Sequence, residues 1–341
     1  MTLMPVLSRP VVADTSHPAS GGRTKLAIGV INNMPDAALR TTERQFRELL
    51  TAASGEAFDV GLRFFSLPDV PRGEAGRVHV REHHTDIAAL WDDGVDGLIV
   101  TGTEPRALDL ADEPYWRSFT GLVEWAQDNT ASTIWSCLAA HAAVHYLDGI
   151  DRRPLGEKLS GIFACTRVAD HPITAGTTPR WQVPHSRHNE LPEVALIEAG
   201  YRMLSHSDDA GADLFIRDMP SRGGSLFVFL QGHPEYDGGA LLREYRRDIG
   251  RFLAGECERY PAMPRNYFDD EVAAVLSELR QNAMEQQGID LIANFPAAAD
   301  KSLDFPWRAP AIRIYANWLA WLATQKSTRR RRSATGDAPT R

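Results

Sequence analysis

The chain has 341 residues, 43% of them hydrophobic and 24% charged, with a formal net charge of -8. Such a composition belongs to a globular protein with enough chain for one large or two modest domains. Its acidity excludes a nucleic-acid binder, which needs a basic face to displace counterions from phosphates. Residues 1–23 carry Pro, Ser and Thr and no apolar run of signal-peptide length, so they are expected to form a flexible leader. No stretch approaches the roughly 20 apolar residues that span a bilayer. Cys137, Cys165 and Cys257 include no CxxC pair, which argues against a disulfide framework, zinc or dithiol redox work and fits a reducing, cytoplasmic setting.

The apolar run Leu26–Ile31, closed by Asn32-Asn33 and Met34-Pro35, predicts a buried strand. Thr41–Ala52 follows at helical spacing, with Phe46, Leu49 and Leu50 on one face. Val60–Ser66 reads as a second strand. A charged, His-containing loop and a short helix lead to a third strand, Gly97–Gly102, and then to a helix through Trp116 and Trp125. Ser132–Ser136 is a strand running straight into Cys137 and a helix of small residues, Leu138–Tyr146. This alternation predicts parallel strands with helices on both faces. Short β-like runs follow at Ile162–Val168 and Ala195–Leu204, then a strong strand, Ser225–Gln231, and a helix, Ala240–Leu253. Beyond Tyr260 the pattern is helical, with Ala311–Thr324 an amphipathic helix. The expected organisation is an α/β catalytic domain over 24–256, a helical extension over 257–325 and a disordered basic tail over 326–341, where Arg329–Arg332 form the one basic run.

Cys137 lies where a strand turns into a helix. In open parallel sheets, ligands bind beyond the carboxyl ends of the strands. The positive end of a helix at that place stabilises a thiolate, the reactive form of cysteine. The arrangement predicts a nucleophile elbow with sulfur; alone, it is equally compatible with an inert buried cysteine. Gln231-Gly232-His233-Pro234-Glu235 also follows an apolar strand, so His233 and Glu235 emerge at the same edge. A cysteine nucleophile needs a base, and the base an orienting carboxylate. One turn supplies both.

An ordered set of motifs extends this pattern. Asn33-Met34-Pro35, Thr42–Phe46, Asp96–Gly102, Tyr115-Trp116, Ser132–Cys137, Gly156–Gly161, Pro184–Arg187, Gly232–Asp237, Arg247-Asp248, Asn266–Phe268 and Asn317–Leu319 together resemble the homoserine O-acyltransferases of the homoserine O-succinyltransferase type. The resemblance covers nearly everything from Ile28 to Gln325. It implies a class I glutamine amidotransferase-like, flavodoxin-like α/β fold with a mostly parallel doubly wound sheet and a C-terminal helical extension. It implies that Cys137 takes the acyl group from an acyl-CoA as a thioester. His233 would then serve as base for the hydroxyl of L-homoserine, with Glu235 orienting it, in the first committed step toward methionine. Lys158 and Arg247 match positions that contact the amino-acid substrate, and Ser186 one that influences substrate choice. Without the resemblance, Lys158 and Arg247 would read as surface charge.

Donor selection matches a position after the Thr101-Gly102 turn, where Arg106 stands with Glu104 nearby. An arginine suits the distal carboxylate of succinyl, which favours succinyl-CoA and leaves acetyl-CoA open. Serine remains open as acceptor. The oxyanion would be met by the Leu138 N–H and by the turn at Gly102. Acyl-CoA is a substrate here, and no cofactor, metal, nucleic acid or membrane is expected; a homodimer is what the resemblance implies. A glutaminase or amidase using Cys137, His233 and Glu235, and a non-catalytic sensor, are the competing classes. His141, one turn after Cys137, is the lesser candidate for base. His141 and His145 lack the glutamate of a zincin helix, and His83, His84 and Asp86 suit a solvated loop better than a tetrahedral site. Trp318 and Trp321 fit helix packing. Asp269–Gln287 reads as helix added to the family's shorter C-terminus.

Overall fold

The computed structural model describes residues 22–220, 224–285, 295 and 305–335, with side chains to 328. The chain runs β1 (Thr24–Ile31), α1 (Leu39–Ser54), β2 (Phe58–Phe65), α2 (Glu74–His83), α3 (Ala88–Asp93), β3 (Gly97–Val100), α4 (Trp116–Asn129), β4 (Ser132–Ser136) and α5 (Leu138–Asp148). It continues with β5 (Arg153–Arg167), β6 (Arg180–Glu190), α6 (Glu193–Glu198), β7 (Arg202–Ser207), β8 (Gly211–Asp218), β9 (Leu226–Leu230), α7 (Ala240–Leu253), α8 (Asp270–Glu285) and α9 (Arg308–Thr335).

Among the described residues these strands form one 9-stranded sheet, in the order β2-β1-β3-β4-β9-β8-β7-β5-β6. From β2 to β9 every pairing is parallel; from β9 to β6 every pairing is antiparallel. The fold is thus α/β with a parallel half wound on both faces. Strands β3, β4 and β9 are buried throughout, which is why they read as continuous apolar runs. Their side chains alternate between two cores. Leu98, Val100, Trp135, Phe227 and Phe229 meet α4 and α5 on one face. Ile99, Ile134, Leu226, Val228 and Leu230 meet α1 and α9 on the other. Gly97 lets α9 lie against the sheet, since a Cβ there would fall 2.5 Å from Leu322 Cδ1 and 2.8 Å from Trp318 Cζ2. Trp318 donates to Ser132 Oγ at 3.0 Å. A third core joins α7 and α8 through Tyr245, Ile249, Leu276 and Trp307.

Four local expectations are corrected. The His-containing segment is helical, because α2 runs through His83 and turns His79 inward. The run Ala195–Leu204 divides into α6 and the start of β7 at Arg202. Strand β6, which carries Pro184 and several charges, was not foreseen; it is the last strand of the sheet, where proline is tolerated. Helix α9 continues through Thr335, past residue 326 where a disordered tail was expected, and Lys326 Nζ binds Asp96 Oδ2 at 2.6 Å and Lys25 O at 3.0 Å. Residues 1–21 of the leader, 286–287 of the added helix and 336–341 of the tail lie outside the described residues. Among the described residues no helix is long and apolar enough to cross a membrane.

Candidate active site

Cys137 stands between β4 and α5 with φ 51° and ψ -113°. A non-glycine residue held there stores roughly 1–3 kcal/mol of backbone strain. Its N–H donates to Leu230 O at 2.7 Å, and its carbonyl accepts from Ala140 N at 2.9 Å and His141 N at 3.2 Å. The turn is therefore fixed by β9 on one side and by the first turn of α5 on the other. The half-buried sulfur sits at the positive end of that helix. Leu138 N–H belongs to a first helical turn, whose donors have no partner inside the helix. Gly102 packs directly on it: a Cβ at Gly102 would lie 2.5 Å from Leu138 Cβ and 3.1 Å from Leu138 N. Only a residue without a side chain permits this approach.

Strands β4 and β9 pair in parallel with Ser136 opposite Leu230, so the segments that follow them leave the sheet side by side. His233 N–H donates to Pro184 O at 2.8 Å. Its Nδ1 lies 2.8 Å from Glu235 Oε1, and the ring stacks on Tyr236 at 4.2 Å between centroids, 14° from parallel. Nε2 is left free of Glu235, and Cys137 lies close enough to act on the ring electrostatically. Burial alone would lower the imidazole pKa; Cys137 and Glu235 outweigh it and hold the pKa well above its ordinary value. Beneath the loop, a Cβ on Gly232 would strike Val183 Cγ1 at 2.4 Å, Asp213 Oδ1 at 2.8 Å and His185 Nε2 at 3.0 Å. The loop thus rests on a buried polar floor in which Ser205 Oγ donates to Asp213 at 2.7 Å.

A polar wall flanks Tyr236. Glu244 of α7 accepts from Tyr236 Oη at 2.5 Å, from Ser186 Oγ and from Lys158 Nζ at 3.2 Å. Lys158 also reaches Asp248 Oδ2 at 2.8 Å, while Arg247 holds Asp248 Oδ1 through Nε at 2.9 Å and through its second nitrogen at 2.8 Å. Burial would raise the Glu244 pKa; Lys158, Ser186, Tyr236 and His233 bring it down to about 2. The structure therefore gathers Cys137, His233, Glu235, Lys158, Ser186 and Arg247, and adds Glu244 and Tyr236, which sequence reasoning did not assign. A signal existed: Glu244 and Asp248 are acids four apart on one helix face. Tyr315 of α9, fully buried, sits in the field of Glu235, and nothing in the sequence foretold that.

The pair considered for donor choice is split. Glu104 meets Arg251 of α7 at 2.7 and 3.0 Å, and that contact lowers its pKa. Arg106, two residues on, borders a separate cleft with Arg72, Arg77 and Arg81. Glu113 Oε1 fixes the loop here by accepting from Arg106 N at 2.5 Å and Ala107 N at 2.7 Å. His141 is fully buried, 3.0 Å from Gln231 Oε1, and its pKa is pushed down to about 3 by burial and by Arg187 and Arg152. It is a buried core histidine whose Nδ1 has no hydrogen-bond partner.

A family model described as homoserine O-succinyltransferase matches residues 8–329. The chain belongs to this family. It is 50% identical over 298 residues to a homoserine O-succinyltransferase from Methylorubrum extorquens, covering 87% of each chain. It is 44% identical over 328 residues to one from Bradyrhizobium japonicum, covering 95% of this chain and 99% of the relative. Among solved structures it is similar to a glutamine amidotransferase from Thermotoga maritima, at 13% identity and a TM-score of 0.46, over 87% of this chain and 98% of that one.

Several motifs of the homoserine O-succinyltransferase family prove to be fasteners between elements. Arg44 of α1 reaches Asp237 Oδ2 at 2.6 Å, and Arg243 holds the other oxygen at 2.7 Å, so the end of the His233 loop is tied to α1 and α7. Glu43 Oε1 lies 2.8 Å from Nε2 of both His79 and His84, a cluster of metal-type ligands that is internally hydrogen-bonded. Gly161 lets residue 265 cross β5, with Ile162 N donating to Arg265 O at 2.9 Å. Tyr267 then reaches over to donate to Gly238 O at 2.5 Å, just before α7.

Proposed function

We propose that the chain transfers a succinyl group from succinyl-CoA to the hydroxyl of L-homoserine through a thioester on Cys137. The observation that carries this reading is the meeting of Cys137 and His233 at the ends of adjacent strands, with Glu235 on the far nitrogen of the ring. The names of the relatives support homoserine and the succinyl group, and coenzyme A as its carrier is part of the proposal. In the first half-reaction the Cys137 thiolate attacks the thioester carbonyl. The oxyanion gathers the Leu138 N–H and the turn at Gly102. Collapse expels the CoA thiolate, which takes the proton from the His233 imidazolium. In the second, His233 Nε2 removes the proton of the homoserine hydroxyl as its oxygen attacks the enzyme thioester. Collapse of this adduct returns the sulfur to Cys137 and releases the ester.

Once the ring has given up its second proton to the CoA thiolate, Glu235 keeps the remaining one on Nδ1, so that Nε2 faces the chemistry. The wall of Lys158, Ser186, Arg247, Glu244 and Asp248 provides both signs of charge for a zwitterionic acceptor, with Arg247 the natural partner for its carboxylate. Intact-protein mass after incubation with succinyl-CoA tests the scheme. It should rise by one succinyl group in the parent and stay unchanged in Cys137→Ala, and homoserine should discharge it. An adduct from acetyl-CoA alone would make acetyl the donor, discharge by serine alone would change the acceptor, and no adduct from either would refute the thioester mechanism.

A further inference from the structure

A cleft of about 620 Å³ opens beside the segment that follows β2, bordered by Ser66, Arg72, Arg77, Arg81 and Arg106. Its four guanidinium groups face a single lining carboxylate, Asp69, which already accepts from Ser118 Oγ at 2.8 Å. The guanidiniums differ in their commitments. Arg72 is built in: it donates to Asn32 O and Met34 O at 2.9 Å and to Ser66 Oγ at 2.7 Å, pairs with Asp36 Oδ1 at 3.7 Å, and its side chain is 5% exposed. Arg77 holds Glu74 Oε2 at 2.9 Å and is 57% exposed. Arg81 and Arg106 are exposed, and neither side chain has an ion pair among the described residues. A positive concavity in a chain of net charge -8 is a local inversion of the overall field. Forked guanidiniums match phosphate oxygens geometrically as well as in charge.

The place of the cleft matters as much as its charge. It lies beyond the carboxyl end of β2, on the same edge of the sheet as Cys137 beyond β4. The order β2-β1-β3-β4 puts three strand spacings between them, roughly 14 Å at ~4.8 Å each. A hydrogen-bonded path joins the two places. Leu67 N donates to Asn33 Oδ1 at 3.2 Å, Asn33 N donates to Thr101 Oγ1 at 2.9 Å, and Gly102 packs on Leu138 beside the nucleophile. The crevice between β1 and β3, where chain order reverses direction across the sheet, is where open α/β folds take their ligands.

We infer that this cleft binds the phosphate groups of the acyl-CoA donor, with the pantetheine arm lying along the carboxyl edge from Arg81 and Arg106 to Cys137. The inference rests on the reading that the donor is an acyl-CoA. It gives Arg106 a different task from pairing with the succinyl carboxylate: it holds the nucleotide end of the donor.

The experiment compares the parent with Arg81→Glu and Arg106→Gln on two donors, succinyl-CoA and S-succinyl-N-acetylcysteamine, which carries the thioester without phosphates. Loss of a charge-assisted phosphate contact should raise KM for succinyl-CoA about tenfold in each variant, with kcat changed less than about twofold. With the truncated donor each variant should match the parent, and the parent's KM for succinyl-CoA should climb with salt more steeply than the variants'. An unchanged KM for succinyl-CoA in both variants, beside an active parent, overturns the cleft assignment and leaves the acyltransferase reading standing. So does an equal loss on both donors, which for Arg106 would return it to the acyl group. A parent that turns over no acyl-CoA defeats the donor reading itself, and the cleft assignment with it.

Discussion

Glu235→Gln preserves the shape of the side chain and removes its charge. The ring it touches should stay in place, because Tyr236 stacks on it at 4.2 Å and the backbone of residue 233 is fastened to Pro184 O at 2.8 Å. The proton is what moves. A carboxylate only accepts, so it requires the hydrogen on Nδ1 and leaves a lone pair on Nε2. An amide can turn its NH2 toward Nδ1 instead, and the hydrogen then sits on Nε2, facing the sulfur. A hydrogen bond to a charged partner contributes roughly 1.5–3 kcal/mol, a factor of about 10 to 150 in rate. The wrong tautomer adds to this; in the serine-protease triad the matching change lowers kcat by about 10⁴. We expect kcat to fall by about 10² to 10⁴, with KM for homoserine within about threefold of the parent. Release of CoA thiol measures both. Without the carboxylate the imidazolium is also a stronger acid, so the alkaline limb of kcat/KM for the donor should move to lower pH. A variant with near-parental kcat and an unmoved alkaline limb would refute the role given to Glu235.

Cys137→Gly should be inactive yet more stable by about 1 kcal/mol in urea unfolding, since glycine relieves a positive φ; a loss of stability would show that the turn is not strained. The folded-state pKa of Glu244 is about 2, below its unfolded value of roughly 4.3, so ionisation contributes about 3 kcal/mol, present above the unfolded value and lost as pH falls through the folded one. Glu244→Gln should therefore be less stable by about that amount at pH 7, with the gap narrowing between about pH 4 and 2, and a gap independent of pH would contradict this. Gly232→Ala and Gly97→Ala should each cost about 1–3 kcal/mol in stability through overpacking, but only the first should also lower kcat, because only it displaces His233; equal effects on kcat would argue against a positioning role for Gly232.

Much of the parallel half was legible from sequence because strands buried on both faces read as unbroken apolar runs. The helix Ala240–Leu253 was bounded as observed, since its apolar stripe begins after a pair of glycines. Cys137 and His233 were legible as residues at the ends of two such strands. Strands β6 and β8 were not foreseen: β6 carries Pro184, His185 and Arg187, and its ordering comes from pairing with distant β5 rather than from its own periodicity. Local composition also failed at α6, where Val194, Ala195 and Leu196 look like strand material but curl into one short helix that buries Leu196. The wall around Glu244 was half legible. Lys158 and Ser186 drew notice through the family resemblance, while the carboxylate that joins them lies 58 residues from Ser186 and becomes a partner only once α7 packs beside β5 and β6. Arg106 shows the converse limit: counting from the Thr101-Gly102 turn names a position, but the loop around it is held by Glu113, which accepts from Arg106 N and Ala107 N, a contact that spacing does not encode.

The seam between β4 and β9 gives the site its logic. To one side of it, the successive parallel strands β3, β1 and β2 all end on the same edge, so the turn at Gly102 and the basic cleft follow one another outward from Cys137. To the other side, the antiparallel strands bring Lys158 and Ser186 from β5 and β6 to Glu244 and Asp248 of α7. On the proposed reaction the first side receives the donor and the second the acceptor, and only Cys137 and His233 are common to both half-reactions. A two-step transfer through one sulfur works well with this division, because the thioester stays in place while one substrate is exchanged for the other. Substitutions along residues 66–106 should therefore alter use of the acyl donor, and those in the wall of residues 158–248 use of the amino acid, with loss of both confined to the turns that carry Cys137 and His233.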